Sequence, residues 1–102
     1  MTDVRFSAEG DRYRMTLRGH AGYNPGNDVV CAGVSSIVFS LLGWLANASE
    51  HITETRAMRY EPGSVDIDVS GDNTLKTGFD MAVIGLQQIE QGYPENVHVE
   101  IV

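Results

Sequence analysis

A chain of 102 residues with 42% apolar side chains is sized for a single domain, 1–102, around one core, and is too apolar to be disordered. Its formal net charge of −7, with 7 Lys and Arg against 14 Asp and Glu, argues against a direct nucleic-acid partner, because phosphate binding needs clustered cations; an acidic chain attracts basic partners instead. One cysteine forms no internal disulfide, which fits a reducing cytoplasmic setting. The first residues lack a signal pattern, and the longest apolar run, 37–46, is too short to cross a membrane.

Residues 3–9 alternate, with Val4, Phe6 and Ala8 on one face and Asp3, Arg5, Ser7 and Glu9 on the other, and so predict a half-buried strand. Gly10-Asp11 is a two-residue turn signal, after which 12–18 alternate again through Tyr13, Met15 and Leu17. The arginines on the wet face of this hairpin read as solvated partners for Glu9 and Asp3. Residues 20–27 carry loop chemistry, and Asp28 is a good helix N-cap. A helix follows from 29 to about 49. Its apolar positions cover most of its circumference, which predicts burial on more than one side. Gly33, Ser36, Ser40, Gly43 and Asn47 form a stripe of small residues, open to two readings: packing against a second helix, or a homodimer contact. His51 near the helix end reads as a cation favoured by the helix dipole.

Residues 56–61 and 64–70 predict a second hairpin around Pro62-Gly63. Met58, Tyr60, Val65, Ile67 and Val69 lie inward, and Asp66 and Asp68 share the outer face. Two carboxylates could suggest a metal or acid–base pair, but no third ligand is near in sequence, so the expectation is a solvated sheet face. Gly71-Asp72-Asn73 turns the chain into a helix with the stripe Leu75, Phe79, Ala82, Val83, Leu86 and Ile89, ended by Gly92-Tyr93-Pro94. A last strand at 96–102 points Val97, Val99 and Ile101 inward and His98 outward. The order β-β-α-β-β-α-β predicts an α/β two-layer sandwich: a five-stranded mixed sheet with two helices on one face.

Chemistry concentrates at 19–35. Cys31, three residues after Asp28, occupies the first turn of the helix, where unpaired N–H groups and the helix dipole favour a thiolate over the thiol of a free cysteine. The same N–H groups could hold an oxyanion. His20 lies at the far end of the preceding loop, within reach as a general base. Ser35 falls one turn after Cys31 on the same helical face, and Asp28 caps the helix, orients His20, or does both. The structural alternative is a small buried cysteine and a surface histidine. Strict strand alternation would put His20 on the open face of the sheet, unless Gly19 breaks the parity.

The run Gly19-His20-Ala21, a glycine-containing loop, then Gly26-Asn27-Asp28-Val29-Val30-Cys31-Ala32-Gly33-Val34-Ser35 resembles the signature of the ribosomal-processing cysteine protease family, Prp, and the likeness extends over nearly the whole chain. The resemblance implies a cysteine endopeptidase that removes the N-terminal extension of a large-subunit ribosomal protein precursor. It implies Cys31 as nucleophile, His20 as general base, and Asp28 and Ser35 in supporting or substrate-positioning roles. It further implies a mobile loop at 21–27, a homodimer, and no metal or organic cofactor. A non-enzymatic ribosome-associated binding factor of the same fold and a thiol redox sensor are the alternatives.

Overall fold

The computed structural model describes residues 1–102. Its regular elements are β1 (Thr2–Glu9), β2 (Arg12–Arg18), α1 (Val29–Asn47), β3 (Ile52–Glu61), β4 (Ser64–Gly71), α2 (Thr74–Gly92) and β5 (Val97–Ile101), with a short 3-10 turn, Ser49–His51, between α1 and β3. The sheet order is β3-β4-β2-β1-β5; the β1–β5 pair is parallel and the other pairs are antiparallel. This is the expected mixed five-stranded sheet, with α1 and α2 together on one face. β3 begins four residues before the expected 56. Two register irregularities, between Ile52 and Glu54 and between Thr55 and Ala57, break the alternation that marks a strand in sequence.

The core lies between sheet and helices. Val4, Phe6, Tyr13, Met15, Leu17, Val65, Ile67 and Val69 meet Val30, Val34, Val38, Leu41 and Leu45 of α1 and Leu75, Phe79, Ala82, Val83 and Leu86 of α2. The Phe79 ring stacks on both Phe6 and Tyr13, at centroid distances of 5.6 and 5.4 Å. By length and composition alone α1 could cross a membrane; here it is the core helix of the sheet.

Several expectations are corrected. α1 is buried along one stripe, not on several sides: Val29 is 62% and Phe39 53% exposed, because the two helices form a single layer with an uncovered outer surface. Close approach of the helices is set mainly by α2. A methyl group at Gly78 would overlap the Trp44 ring, and one at Gly85 would come within 3.0 Å of Ile37. Of the small-residue stripe on α1, a methyl group at Gly33 would touch Ile89 of α2, while one at Gly43 would meet nothing within 4 Å. Ile101 is 61% exposed, since β5 is an edge strand that outruns the helix layer.

The open sheet face is a lattice of ion pairs with different partners from those expected. Arg12 grips Asp68 with both arms (Nε–Oδ1 2.9 Å, Nη2–Oδ2 2.6 Å), Arg18 pairs with Asp66 at 2.8 Å, and Arg5 pairs with Glu100 at 3.3 Å. The β2–β4 register, Arg14 opposite Asp68 and Thr16 opposite Asp66, brings these groups together. Asp66 and Asp68 are therefore committed to arginines, and no cluster of three metal-ligating side chains exists. His51 pairs not with the end of α1 but with Asp72, Nδ1 to Oδ2 at 2.7 Å.

These pairs give stability a pH profile. The Arg12 hydrogen bonds hold the Asp68 carboxyl below its ordinary range. Its contribution is therefore complete above the unfolded value of about 3.9 and is lost as the pH falls through the lower folded value. The hydrogen bond to Asp72 raises the His51 imidazole. Its contribution is complete below the unfolded value of about 6.5 and is lost as the pH rises through the raised one. Melting temperature should therefore fall on both limbs. Asp68→Asn should make the acid limb shallower, and His51→Gln should flatten the neutral one. A wild-type melting temperature that does not change across the neutral range would contradict the His51 assignment.

Candidate active site

β2 ends at Arg18, and Gly19 turns the chain with φ +89°. A side chain here would also overlap the Met1 carbonyl oxygen, so the position needs glycine on two counts. Gly19 is pinned: its N–H donates to the Gly63 carbonyl at 2.9 Å, and its own carbonyl accepts from Thr2 Oγ1 at 3.3 Å. The turn breaks the strand's alternation. His20 leaves the open sheet face and lays its imidazole on Gly63, in the β3–β4 turn, where a methyl group would stand 2.8 Å from Nε2. Ala21, next along, is only 1% exposed and donates its N–H to Cys31 Sγ at 3.2 Å. The Ala21 carbonyl accepts from Asn96 Nδ2 at 3.0 Å.

Asp28 does more than cap. One carboxylate oxygen accepts from the N–H groups of Val30 and Cys31 at 2.9 and 3.0 Å; the other accepts from Tyr23 and Asn24 at 2.9 and 3.2 Å. These bonds, the one from Cys31 foremost, hold the carboxyl below its ordinary range. All four partners are backbone groups, and none is His20. Asp28 thus ties the loop to the start of α1. It also occupies the N–H groups of Val30 and Cys31 that were expected to be free for an oxyanion. The backbone donor that faces the sulfur is Ala21.

His20 and Cys31 line the same cavity of about 150 Å³, whose apolar wall includes Leu17, Val34, Val38 and Tyr60. Both also border a second hollow on the loop side, with Gly22, Pro25 and Asp28. No hydrogen bond joins imidazole to sulfur; the ring's neighbour is Gly63. Ser35 lines the first cavity too. Its hydroxyl makes no hydrogen bond, whereas Ser36 and Ser40 bond back to the carbonyls of Ala32 and Ser36. All four residues singled out in the sequence thus border these two hollows. The contributions of Gly63 and Asn96 were not legible there, because each reaches the site from another part of the chain.

The protein-family model described as cysteine protease Prp matches residues 1–98. The chain belongs to the Prp family. A curated member, the ribosomal processing cysteine protease Prp of Mycoplasma pneumoniae, is 29% identical over 90 residues, covering 86% of this chain and 86% of that one. Among solved structures, the essential ribosomal processing protease Prp from S. aureus, in complex with a covalently linked product peptide, aligns over 100% of both chains with a TM-score of 0.77 and 22% identity. SMU.848 from Streptococcus mutans aligns over 100% of this chain and 94% of its own, with a TM-score of 0.74 and 22% identity. Membership in Prp makes this chain a cysteine protease, and Cys31 is its only cysteine. The Prp neighbours also bear out the sandwich fold.

Proposed function

We propose that this protease removes a short N-terminal extension from a large-subunit ribosomal protein precursor, in the cytoplasm, through a Cys31–His20 dyad. The observation that carries the reading is the shared cavity: the only thiol of a cysteine protease and a histidine without a hydrogen-bond partner line one hollow, with a backbone N–H aimed at the sulfur. The processing role of the Mycoplasma pneumoniae relative supports the substrate class.

In this reading His20 swings from Gly63 to the sulfur and takes its proton. The thiolate attacks the scissile carbonyl, and the tetrahedral oxygen finds a backbone donor in Ala21 N–H. The intermediate collapses as His20 protonates the leaving amine, and water then releases the acyl-enzyme. The uncommitted Ser35 hydroxyl is available to bond substrate backbone, while Asp28 positions Cys31 by holding its N–H. The apolar wall of the cavity suits an uncharged side chain beside the scissile bond. The chemistry runs on the chain's own groups, without metal or organic cofactor.

The test is incubation with a peptide spanning the extension junction, read by mass spectrometry. The native protein should give two products and Cys31→Ala none. Binding without cleavage by the native protein would replace this reading with a binding factor. Oxidation of Cys31 as its sole chemistry would favour a redox sensor.

The acting species is proposed to be a homodimer. Phe39, Met81 and Ile84, all more than half exposed, and the groove of about 340 Å³ between α1 and α2 form the uncovered apolar surface that supports it. Sedimentation equilibrium should give twice the chain mass; a monomer at micromolar concentration would reject the dimer.

A further inference from the structure

We propose that Asn96 is a positioning residue for the nucleophile, acting through Ala21. This rests on the reading of Cys31 as the nucleophile, and its test is arranged to stand apart from that reading.

Asn96 is 65 residues from Cys31 in sequence, yet only Ala21 separates them in the hydrogen-bond chain. Its side-chain amide donates to the Ala21 carbonyl at 3.0 Å, and the Ala21 N–H donates to Cys31 Sγ at 3.2 Å. A donor at the sulfur favours thiolate over thiol, but only if it is aimed and held. Ala21 follows the sharp bend at Gly19 and sits in a loop, so its orientation is not set by a strand or helix. The pin on its carbonyl supplies what regular structure does not.

Asn96 is itself well placed to act as a fixed point. Its N–H donates to the Tyr93 carbonyl at 3.0 Å, and its carbonyl accepts from Thr2 N–H at 2.9 Å. It immediately precedes β5, whose Val97 pairs with Thr2 of β1. The amide therefore projects from the end of the sheet, a rigid base, onto the loop that carries His20. The same connection touches the loop a second time: the rings of Tyr93 and Tyr23 meet edge to face at 5.1 Å. The junction between α2 and β5 is thus a buttress for the active-site loop. Nothing in the local sequence Tyr93-Pro94-Glu95-Asn96 announces this, because the role depends on a parallel strand pairing between the two ends of the chain.

Asn96→Asp keeps the shape and loses the donor; Asn96→Ala loses both. Three readouts apply to each folded variant: alkylation of Cys31 by iodoacetamide at fixed neutral pH, kcat and KM on the junction peptide, and the NMR shift of the Ala21 amide proton. Alkylation should slow about threefold in both variants, since the sulfur loses an aimed donor that supports the negative charge of its reacting form. The kcat should fall about tenfold with KM within about twofold. The Ala21 amide proton should move upfield. A packing role alone predicts a lower melting temperature for both variants, since the carboxylate of Asn96→Asp faces the Ala21 carbonyl, and no change in alkylation of either folded protein; that result overturns the proposal. If the native protein cuts no peptide, the protease reading fails while alkylation and the amide shift still decide the role of Asn96. If neither variant folds, the decision falls to the Ala21 amide in Cys31→Ala, which must move relative to the native protein; an unmoved signal overturns the proposal.

Discussion

His20→Ala should lower kcat/KM for junction-peptide cleavage by about three orders of magnitude, within the range of a general base that also serves as acid. Its melting temperature should stay within about 2 °C of the native value, because surface substitutions away from specific bonds change stability little. The contrast follows from the geometry. His20 is exposed and makes no hydrogen bond, and its ring lies against Gly63. Removing it takes little from the fold but, in the proposed dyad, takes the proton carrier from the sulfur. The double variant His20→Ala/Cys31→Ala should be no slower than Cys31→Ala alone, since the two groups act as a unit. Near-native cleavage by His20→Ala would remove the histidine from the mechanism and leave the thiol to be activated by Ala21 N–H alone.

Gly19→Ala should damage both fold and activity. The left-handed backbone at φ +89° costs a residue with a side chain about 1–2 kcal/mol, and overlap with the Met1 carbonyl adds to it. In a domain of this size a loss of about 2 kcal/mol lowers the melting temperature by about 8 °C or more. Relief of the overlap must move either Met1 or the strap that carries His20, so the folded fraction should also lose about a hundredfold in kcat through misplacement of the imidazole. Gly22→Ala is the control. Gly22 also has positive φ, at +70°, but a side chain there meets nothing within 4 Å, so strain alone remains. Its melting temperature should fall by less, with cleavage nearly unchanged. Equal effects at the two positions would show that the Met1 contact does not matter.

The elements themselves were legible because they rest on local regularities. Alternation in 3–9 and 12–18 marked β1 and β2, Asp28 marked the start of α1, and the stripe from Leu75 to Leu86 marked the buried side of α2. The same locality explains the errors. Irregular register hid the first residues of β3, and a run of apolar residues in α1 could not reveal that its outer side lacks a cover. Which aspartate meets which arginine depends on strand register, a property of two segments rather than one.

By itself, the sequence determined the α/β class and the element order, and it nominated His20, Asp28, Cys31 and Ser35 as candidate site residues, since propensity, periodicity and a spaced motif are written along one stretch of chain. The tertiary structure decided where those residues sit and what they touch. It turned His20 onto Gly63 by breaking strand parity at Gly19, committed Asp28 to four backbone N–H groups, and aimed Ala21 at the sulfur with Asn96 behind it. Each of these depends on groups from separate elements meeting at one point, and only the packed sheet and its crossovers bring them there.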